Sequence, residues 1–413
     1  MGTEREAPRR LSFPVPSRHE LAVLATVLRQ ESVGGALLLV ATVAALVWAN
    51  SPWHESYTHA REFTIGPLSA EAWATDGLLA IFFYVAGLEL KRELVTGSLR
   101  QLSRALVPVV AAVGGMAVPA LVFTAVVLAS GDRDGLRGWA VPMATDIAFA
   151  LGVLAVAGSG LPGALRAFLL TLAIVDDLGA IIVIALFFTE SLHLVPLGLA
   201  LALLAGYAVL QHRRVRTPLV YVPLAIAIWW FTHESGVHAT IAGVALGLLT
   251  RVRPDPGEEH SPAERLEHRL RPWSAGVAVP LFALAAAGVP VTPDALAAMV
   301  SDPAAVASFV GLVVGKAIGV FGGAWLTARL THASLNPDLS WADVVAIALL
   351  AGIGFTMCLL FAELAFEADP ARMARVKAAV MIGSVTAALL AVVLLRFRRV
   401  RHQAAGNDET SDS

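Results

Sequence analysis

"LAIVDDLGAIIVIAL", residues 172–186, sets two adjacent carboxylates, Asp176 and Asp177, inside a run that is otherwise apolar apart from Gly179. A lone charge at the centre of a hydrocarbon span costs roughly 3 to more than 10 kcal/mol, depending on how far water and snorkelling relieve it. Two side by side at that depth read as functional groups.

The rest of the chain fits that setting. Of its 413 residues 57% are hydrophobic and only 15% charged, and the mean hydropathy is +0.71, outside the range of water-soluble domains. The sequence is that of a polytopic membrane protein. A net charge of −2 gives no electrostatic reason for a nucleic-acid partner. The single cysteine, Cys358, excludes an internal disulfide and any cysteine-based metal cluster.

Apolar stretches of spanning length predict about twelve transmembrane helices, near residues 33–50, 75–95, 105–129, 137–157, 164–188, 194–211, 218–232, 236–250, 273–290, 306–327, 342–365 and 376–396. Ahead of them, residues 1–30 lack a signal-peptide core, and His19 to Gln30 has the helical apolar spacing of a segment lying in the membrane interface. Arginine and lysine fall in alternate loops: Arg9, Arg10 and Arg18; Lys91 and Arg92; Arg213, Arg214 and Arg216; Arg251 to Arg271; Arg396 to Arg401. The intervening loops carry Glu55, Glu62, Glu71, Glu190, Asp294 and Asp302 instead. This charge bias places both termini in the cytoplasm. Residues 51–74, with a Gly66-Pro67 turn, read as an external hairpin, residues 254–272 as a long cytoplasmic loop, and residues 397–413 as a disordered tail.

Further charges lie inside the spans: Asp146 in "VPMATDIAFALGVL" and Lys316 in "GLVVGKAIGVFGG", the latter one of only three lysines. One explanation of the set is a structural ion pair between helices; the other is an ion pathway. Pro142 just before Asp146, and Gly352 and Gly354 in mid-span, suggest that two helices break in the membrane. Broken helices expose partial charges at their ends, which Asp146 at an N-terminus and Lys316 at a C-terminus would offset. Two interrupted spans are the mark of an inverted-repeat transporter. Gly311, Gly315 and Gly319, at i, i+4 and i+8, read instead as a helix-packing stripe.

The motifs "FFYVAGLELKREL", "ATDIAFALGVL", "LAIVDDLGAIIVIALFFT", "ESGVHATIAG", "RLEHRLRPW", "GKAIGV" and "GIGFTMCLL" occur in that order over about residues 30–395. Together they resemble the bacterial sodium–proton antiporter family typified by NhaA. The resemblance implies an all-α fold of twelve helices in two inverted repeats, with the fourth and eleventh helices unwound at mid-membrane. It implies electrogenic, pH-regulated export of cytoplasmic Na⁺ or Li⁺ in exchange for external H⁺ across the bacterial plasma membrane, with no cofactor. Asp177 would be the principal cation carboxylate, Asp176 its neighbour paired with Lys316, and Thr145 and Asp146 the break in the fourth helix. Asp76 matches a further acid of the family; on sequence alone it equally suits a helix N-cap. A homodimer through "REFTIGPLSAEAW" is also implied.

The residues support this chemistry independently of the resemblance. A hard monovalent cation takes oxygen ligands, which Asp177, nearby carbonyls and the Thr145 hydroxyl offer. Adjacent acids of which one lies beside an ammonium need not ionise together, so Na⁺ and H⁺ compete for one site. If Na⁺ breaks the Asp176–Lys316 pair, either partner is a source of the second proton.

A second constellation, Glu89, Arg92 and Glu93 with Glu267 and His268, matches the family's pH-sensing or funnel region; a solvated charge cluster is the alternative. Glu264 stands where the family commonly has lysine. His238 tunes the site or packs, and its spacing from His233 does not form a zinc signature. Trp229 and Trp230 read as interface anchors. An intramembrane aspartyl protease also buries two acids, but on different helices and with a Gly-x-Gly-Asp motif that this chain lacks. A passive cation channel is the third class.

Overall fold

The computed structural model describes residues 31–97, 100, 102–158, 161–189, 192–254, 257–331, 333 and 335–411; the expected interfacial helix and Glu190 lie outside the described residues. Helix α1 (Glu31–Ala49) leads into α2 (His54–Glu62) and a hairpin of β1 (Thr64–Ile65) antiparallel to β2 (Leu68–Ser69). Gly66 takes a φ of +65°, which a residue without Cβ enters freely, so two residues suffice to reverse the chain. The stretch expected as a loop from 51 to 74 is therefore partly helical.

Helix α3 (Ala70–Val95) follows, and then α4 (Leu102–Ser130). A 3₁₀ helix, Asp134–Met143, precedes α5 (Ile147–Ala157). Next come α6 (Gly163–Phe187), α7 (Leu194–His212), α8 (Pro218–Glu234) and α9 (Thr240–Leu249). Helix α10 (Pro262–Trp273) runs through a π turn, Ser274–Ala278, into α11 (Val279–Ala286). The chain closes with α12 (Pro293–Ser301), α13 (Pro303–Leu330), α14 (Trp341–Ala351), α15 (Phe355–Ala365) and α16 (Pro370–Ser411).

Two sequence expectations change. The segment 254–272 is not all loop: Ser261-Pro-Ala-Glu264 forms a capping box, Ser261 Oγ accepting the Glu264 N–H at 3.2 Å and Glu264 Oε2 accepting the Ser261 N–H at 2.9 Å. These reciprocal bonds start α10. The expected tail is also helical as far as Ser411, because the arginines, glutamine and alanines after Leu395 are good helix formers that extend α16.

Among the described residues, six helices are long and apolar enough to cross a membrane, or up to nine if each bent pair counts as one span. Large apolar side chains face outward along them, among them Val40, Leu121, Leu186 and Leu389. An apolar surface of that extent suits lipid and not water. This is an all-α polytopic membrane protein.

Ion pairs sort by the two ends of the bundle. At one end Arg372 meets Asp132 at 3.0 Å and Arg375 meets Asp302 at 2.7 Å. At the other, Arg398 meets Asp343 at 2.8 Å and Arg92 meets Glu267 at 2.5 Å. The second end holds the arginine-rich loops and is called the basic end below.

Glycines set the closest helix approaches. Along α13, a Cβ on Gly315 would lie 2.8 Å from Pro119 Cα of α4, and one on Gly311 would lie 2.8 Å from the Pro142 ring. The predicted packing stripe is thus what brings α13 against α4 and the 3₁₀ helix. Helices α3 and α9 cross as tightly: a Cβ on Gly247 would lie 2.6 Å from Tyr84 O and 2.8 Å from Gly87 Cα. Gly247→Ala is expected to destabilise the purified protein by about 1–3 kcal/mol through overpacking, read as a lower thermal midpoint. Gly206→Ala, where a Cβ meets open space, should leave the midpoint unchanged or slightly raised.

Candidate functional site

The 3₁₀ helix and α5 are bent by 44° across residues 144–146, and α14 and α15 by the same angle across residues 352–354. The two breaks touch: the Asp146 N–H donates to Ile353 O at 2.7 Å. Each break strands backbone groups where water is scarce, and named side chains collect them. Asp146 caps both following helices at once. Its Oδ1 accepts the Phe149 N–H of α5 at 3.0 Å, while its Oδ2 accepts the Thr356 N–H of α15 at 3.1 Å and the Thr356 hydroxyl at 2.5 Å. Ser384 of α16 accepts the N–H groups of Gly354 and Phe355 at 3.3 and 3.1 Å. At the opposite polarity, the Lys316 ammonium donates to the carbonyl of Met143, the last residue of the 3₁₀ helix. The cation meets the negative end of a helix and the carboxylate the positive ends.

Lys316 is fully buried, immediately after a π turn at Gly311–Gly315, and it also donates to Asp176 Oδ2 at 2.6 Å. The Thr145 hydroxyl lies 2.6 Å from the same oxygen and 2.9 Å from Ala351 O, so its single proton goes to one or the other. Thr145 thus stands between Asp176 and the carbonyl at the end of α14; the sequence offers its hydroxyl as a cation ligand together with Asp177. The twin acids have unequal surroundings. Asp176 is held through its Oδ2 by Lys316 and Thr145, while the Oδ1 atoms of both acids are buried with no hydrogen-bond partner among the described residues. Asp177 faces a narrow cavity whose walls include Gly87, Glu89 and Leu90 of α3, Ile147 of α5, and Ile174 and Ile181 of α6. Gly352 and Gly354 leave room for this crossing: a Cβ on Gly352 would lie 2.7 Å from Leu312 O, and one on Gly354 3.0 Å from Ala144 O.

The sequence signature of the Na⁺/H⁺ antiporter 1 family matches residues 25–395. The chain is 56% identical to Na⁺/H⁺ antiporter NhaA 3 of Streptomyces coelicolor over 417 aligned residues, 99% of this chain and 86% of the relative. It is 55% identical to the NhaA antiporter of Streptomyces antibioticus (99% and 85%) and 52% identical to that of Mycolicibacterium smegmatis (100% and 96%). The chain belongs to the NhaA family of Na⁺/H⁺ antiporters. Its members are named as secondary transporters, not enzymes.

In this NhaA-family chain Glu89, in the wall of the Asp177 cavity, also belongs to the second predicted constellation, part of which assembles at the basic end. Besides the Arg92–Glu267 pair, Arg271 bridges Glu89 at 3.2 Å and Glu267 at 3.7 Å. Arg271 is the member that sequence reasoning left among the loop cations. Glu93 is half-buried on the same helix, and His268 is exposed on α10, turned away from the buried Glu267. Glu264 supplies the α10 capping box with Ser261.

At the far end, Asp76 is not an N-cap. Ser69 holds that position, its Oγ accepting the Ala72 N–H at 3.1 Å, and Asp76 sits within a π turn, Trp73–Leu78. Its carboxylate faces His233 at 3.2 Å and His238 at 3.4 Å, and its carbonyl accepts the Trp229 indole N–H at 2.9 Å. Trp229 is half-buried and stacked on Trp73. Glu363 and Lys377 form a second buried ion pair at 2.7 Å. Both had a legible signal: an acid inside the apolar run of α15, and one of three lysines in the chain.

Removing one charge of a buried pair strands the other at a cost of about 3–5 kcal/mol. Asp176→Leu and Lys316→Met are each expected to lower the thermal midpoint sharply, and the double variant to recover most of the loss. Additive losses would show that the two do not form one unit.

Proposed function

We propose that the chain exchanges Na⁺ for H⁺ at Asp177 by alternating access. The observation that carries this reading is the buried Asp177 oxygen without a partner in the wall of a cavity, beside an Asp176 whose Oδ2, though not its Oδ1, is held by Lys316 and Thr145. A carboxylate in that position binds a proton or a sodium ion, one at a time, and the family names of its relatives give the two ions. Sodium bound at Asp177 adds positive charge next to Lys316 and weakens its pair with Asp176. The pair then gives up a second proton, which makes the cycle electrogenic. Lithium, smaller and equally hard, takes the same ligands.

In this reading twelve crossings form two inverted repeats, the two bent helix pairs being the interrupted fourth and eleventh helices, and the basic end is cytoplasmic, with both termini there. The protein is a multi-pass protein of the bacterial plasma membrane. The Asp177 cavity then opens toward the cytoplasm past Glu89, and the Arg92–Glu267–Arg271 cluster at its mouth is the region through which pH regulates uptake. The β1–β2 hairpin, with Thr64 and Ile65 exposed, is the dimer contact.

The test is sodium-induced dequenching of a pH dye in proteoliposomes between about pH 6 and pH 9, the window in which histidine-linked regulation operates. Asp177→Asn should reduce proton flux to the level of protein-free liposomes; retained exchange rejects the assignment. Lithium should substitute for sodium, and an imposed membrane potential should alter the rate if more than one proton moves per cation.

A further inference from the structure

The buried pair of Glu363 and Lys377 has no part in the exchange cycle described above. Glu363 is on α15 and Lys377 on α16, with side chains only 12% and 4% exposed. One oxygen of Glu363 accepts from the Lys377 ammonium at 2.7 Å; the other lies 3.4 Å from the Thr75 hydroxyl of α3. Thr75 and Asp76 are neighbours on one π turn, and Asp76 carries the His233 and His238 contacts. On α2, Tyr57 and Arg61 also lie close enough to feel the Glu363 charge. Inward along α15, Glu363 is seven residues from Thr356, and so on the same helix face about 10 Å away by helical rise. Thr356 donates to Asp146 at the crossing. Polar side chains thus gather at the end opposite the Asp177 cavity as far as Glu363 and again at the central break, with Leu359 and Leu360 between them on α15.

A scaffold held together by packing has no need of this pair, since an apolar pair of similar size is often as stable. We propose that Glu363, held by Lys377, is the proton-relay carboxylate of the external access route: it accepts a proton from external water and releases it inward toward the Asp146–Thr356 crossing. Its contact with Thr75 closes that route while the cavity is open at the basic end. The proposal rests on the antiport reading, and a wild-type protein with no sodium-dependent proton flux would defeat that reading first.

The experiment measures exchange against external and internal pH separately, in right-side-out and inside-out vesicles. Glu363→Gln leaves the Lys377 ammonium uncompensated and repelling protons, so the external pH at half-maximal exchange should fall by about one unit. The internal pH profile and half-saturating internal Na⁺ should move far less. Glu363→Gln combined with Lys377→Gln, which strands no charge, should still slow exchange wherever external protons are limiting. Glu363→Asp should restore most of the wild-type profile. An unchanged external profile in the double variant, equal shifts on both sides, or failure of the double variant to assemble by gel filtration would each overturn the proposal, leaving the pair a structural tie.

Discussion

Residues 144–146 and 352–354 leave the helix in a layer that offers little water to peptide groups, so every stranded N–H and C=O there has to find its partner within the protein. The chain solves this with few side chains. Asp146 takes donors from two helix starts, Lys316 gives to one helix end, Ser384 accepts from Gly354 and Phe355, and the Thr145 hydroxyl lies within reach of Ala351 O. Removing either break removes the reason for a buried aspartate and a buried lysine to be where they are. Keeping both breaks fixes a carboxylate and an ammonium within reach of the next helix, α6, where Asp176 and Asp177 wait.

That arrangement makes two chemically identical neighbours behave differently. Asp176 meets an ammonium and a hydroxyl, so its charge is offset at short range. One residue along the helix, about 100° around its axis, Asp177 points to the cavity and receives neither. An exchanger needs this inequality. If both acids were neutralised by protein groups, no site would remain for a cation; if neither were, two adjacent charges would have to be buried together at prohibitive cost. The lysine therefore acts on Asp177 indirectly, by taking up its neighbour.

Much of this was legible in the sequence because hydrocarbon tolerates so few polar groups that each one stands out. Asp146, Asp176, Asp177 and Lys316 could be picked from apolar runs, and the glycines at 352 and 354 and the proline at 142 marked the breaks. Glu363 bore the same signal within α15. What sequence could not give was pairing across the fold. Nothing local says that the Thr145 hydroxyl meets Asp176 and not Asp177, that Arg271 joins the Arg92–Glu267 cluster, or that Asp76 faces two histidines. Those contacts depend on helix rotation, and a helix surrounded by apolar neighbours shows little periodicity from which rotation might be read. The α10 start was different: Ser261-Pro-Ala-Glu264 is a local capping signature, hidden only by the polar composition around it.

Helix rotation and approach are set in turn by glycine. The closest contact of α13 with α4 runs along Gly311, Gly315 and Gly319, and Lys316 follows directly from that stripe. Its neighbour on the stripe fixes how deep the ammonium sits, so the pair geometry at the crossing depends on residues that carry no charge. A backbone packed this closely resists small continuous displacement but slides or tilts as a unit. In the alternating-access reading proposed above, the crossing and its capped helix ends move together and carry Asp176 and Asp177 with them. In that reading the hydrogen bonds that hold the breaks lie within the moving body, whereas the Glu363–Thr75 contact joins α15 to α3 and is among those that part.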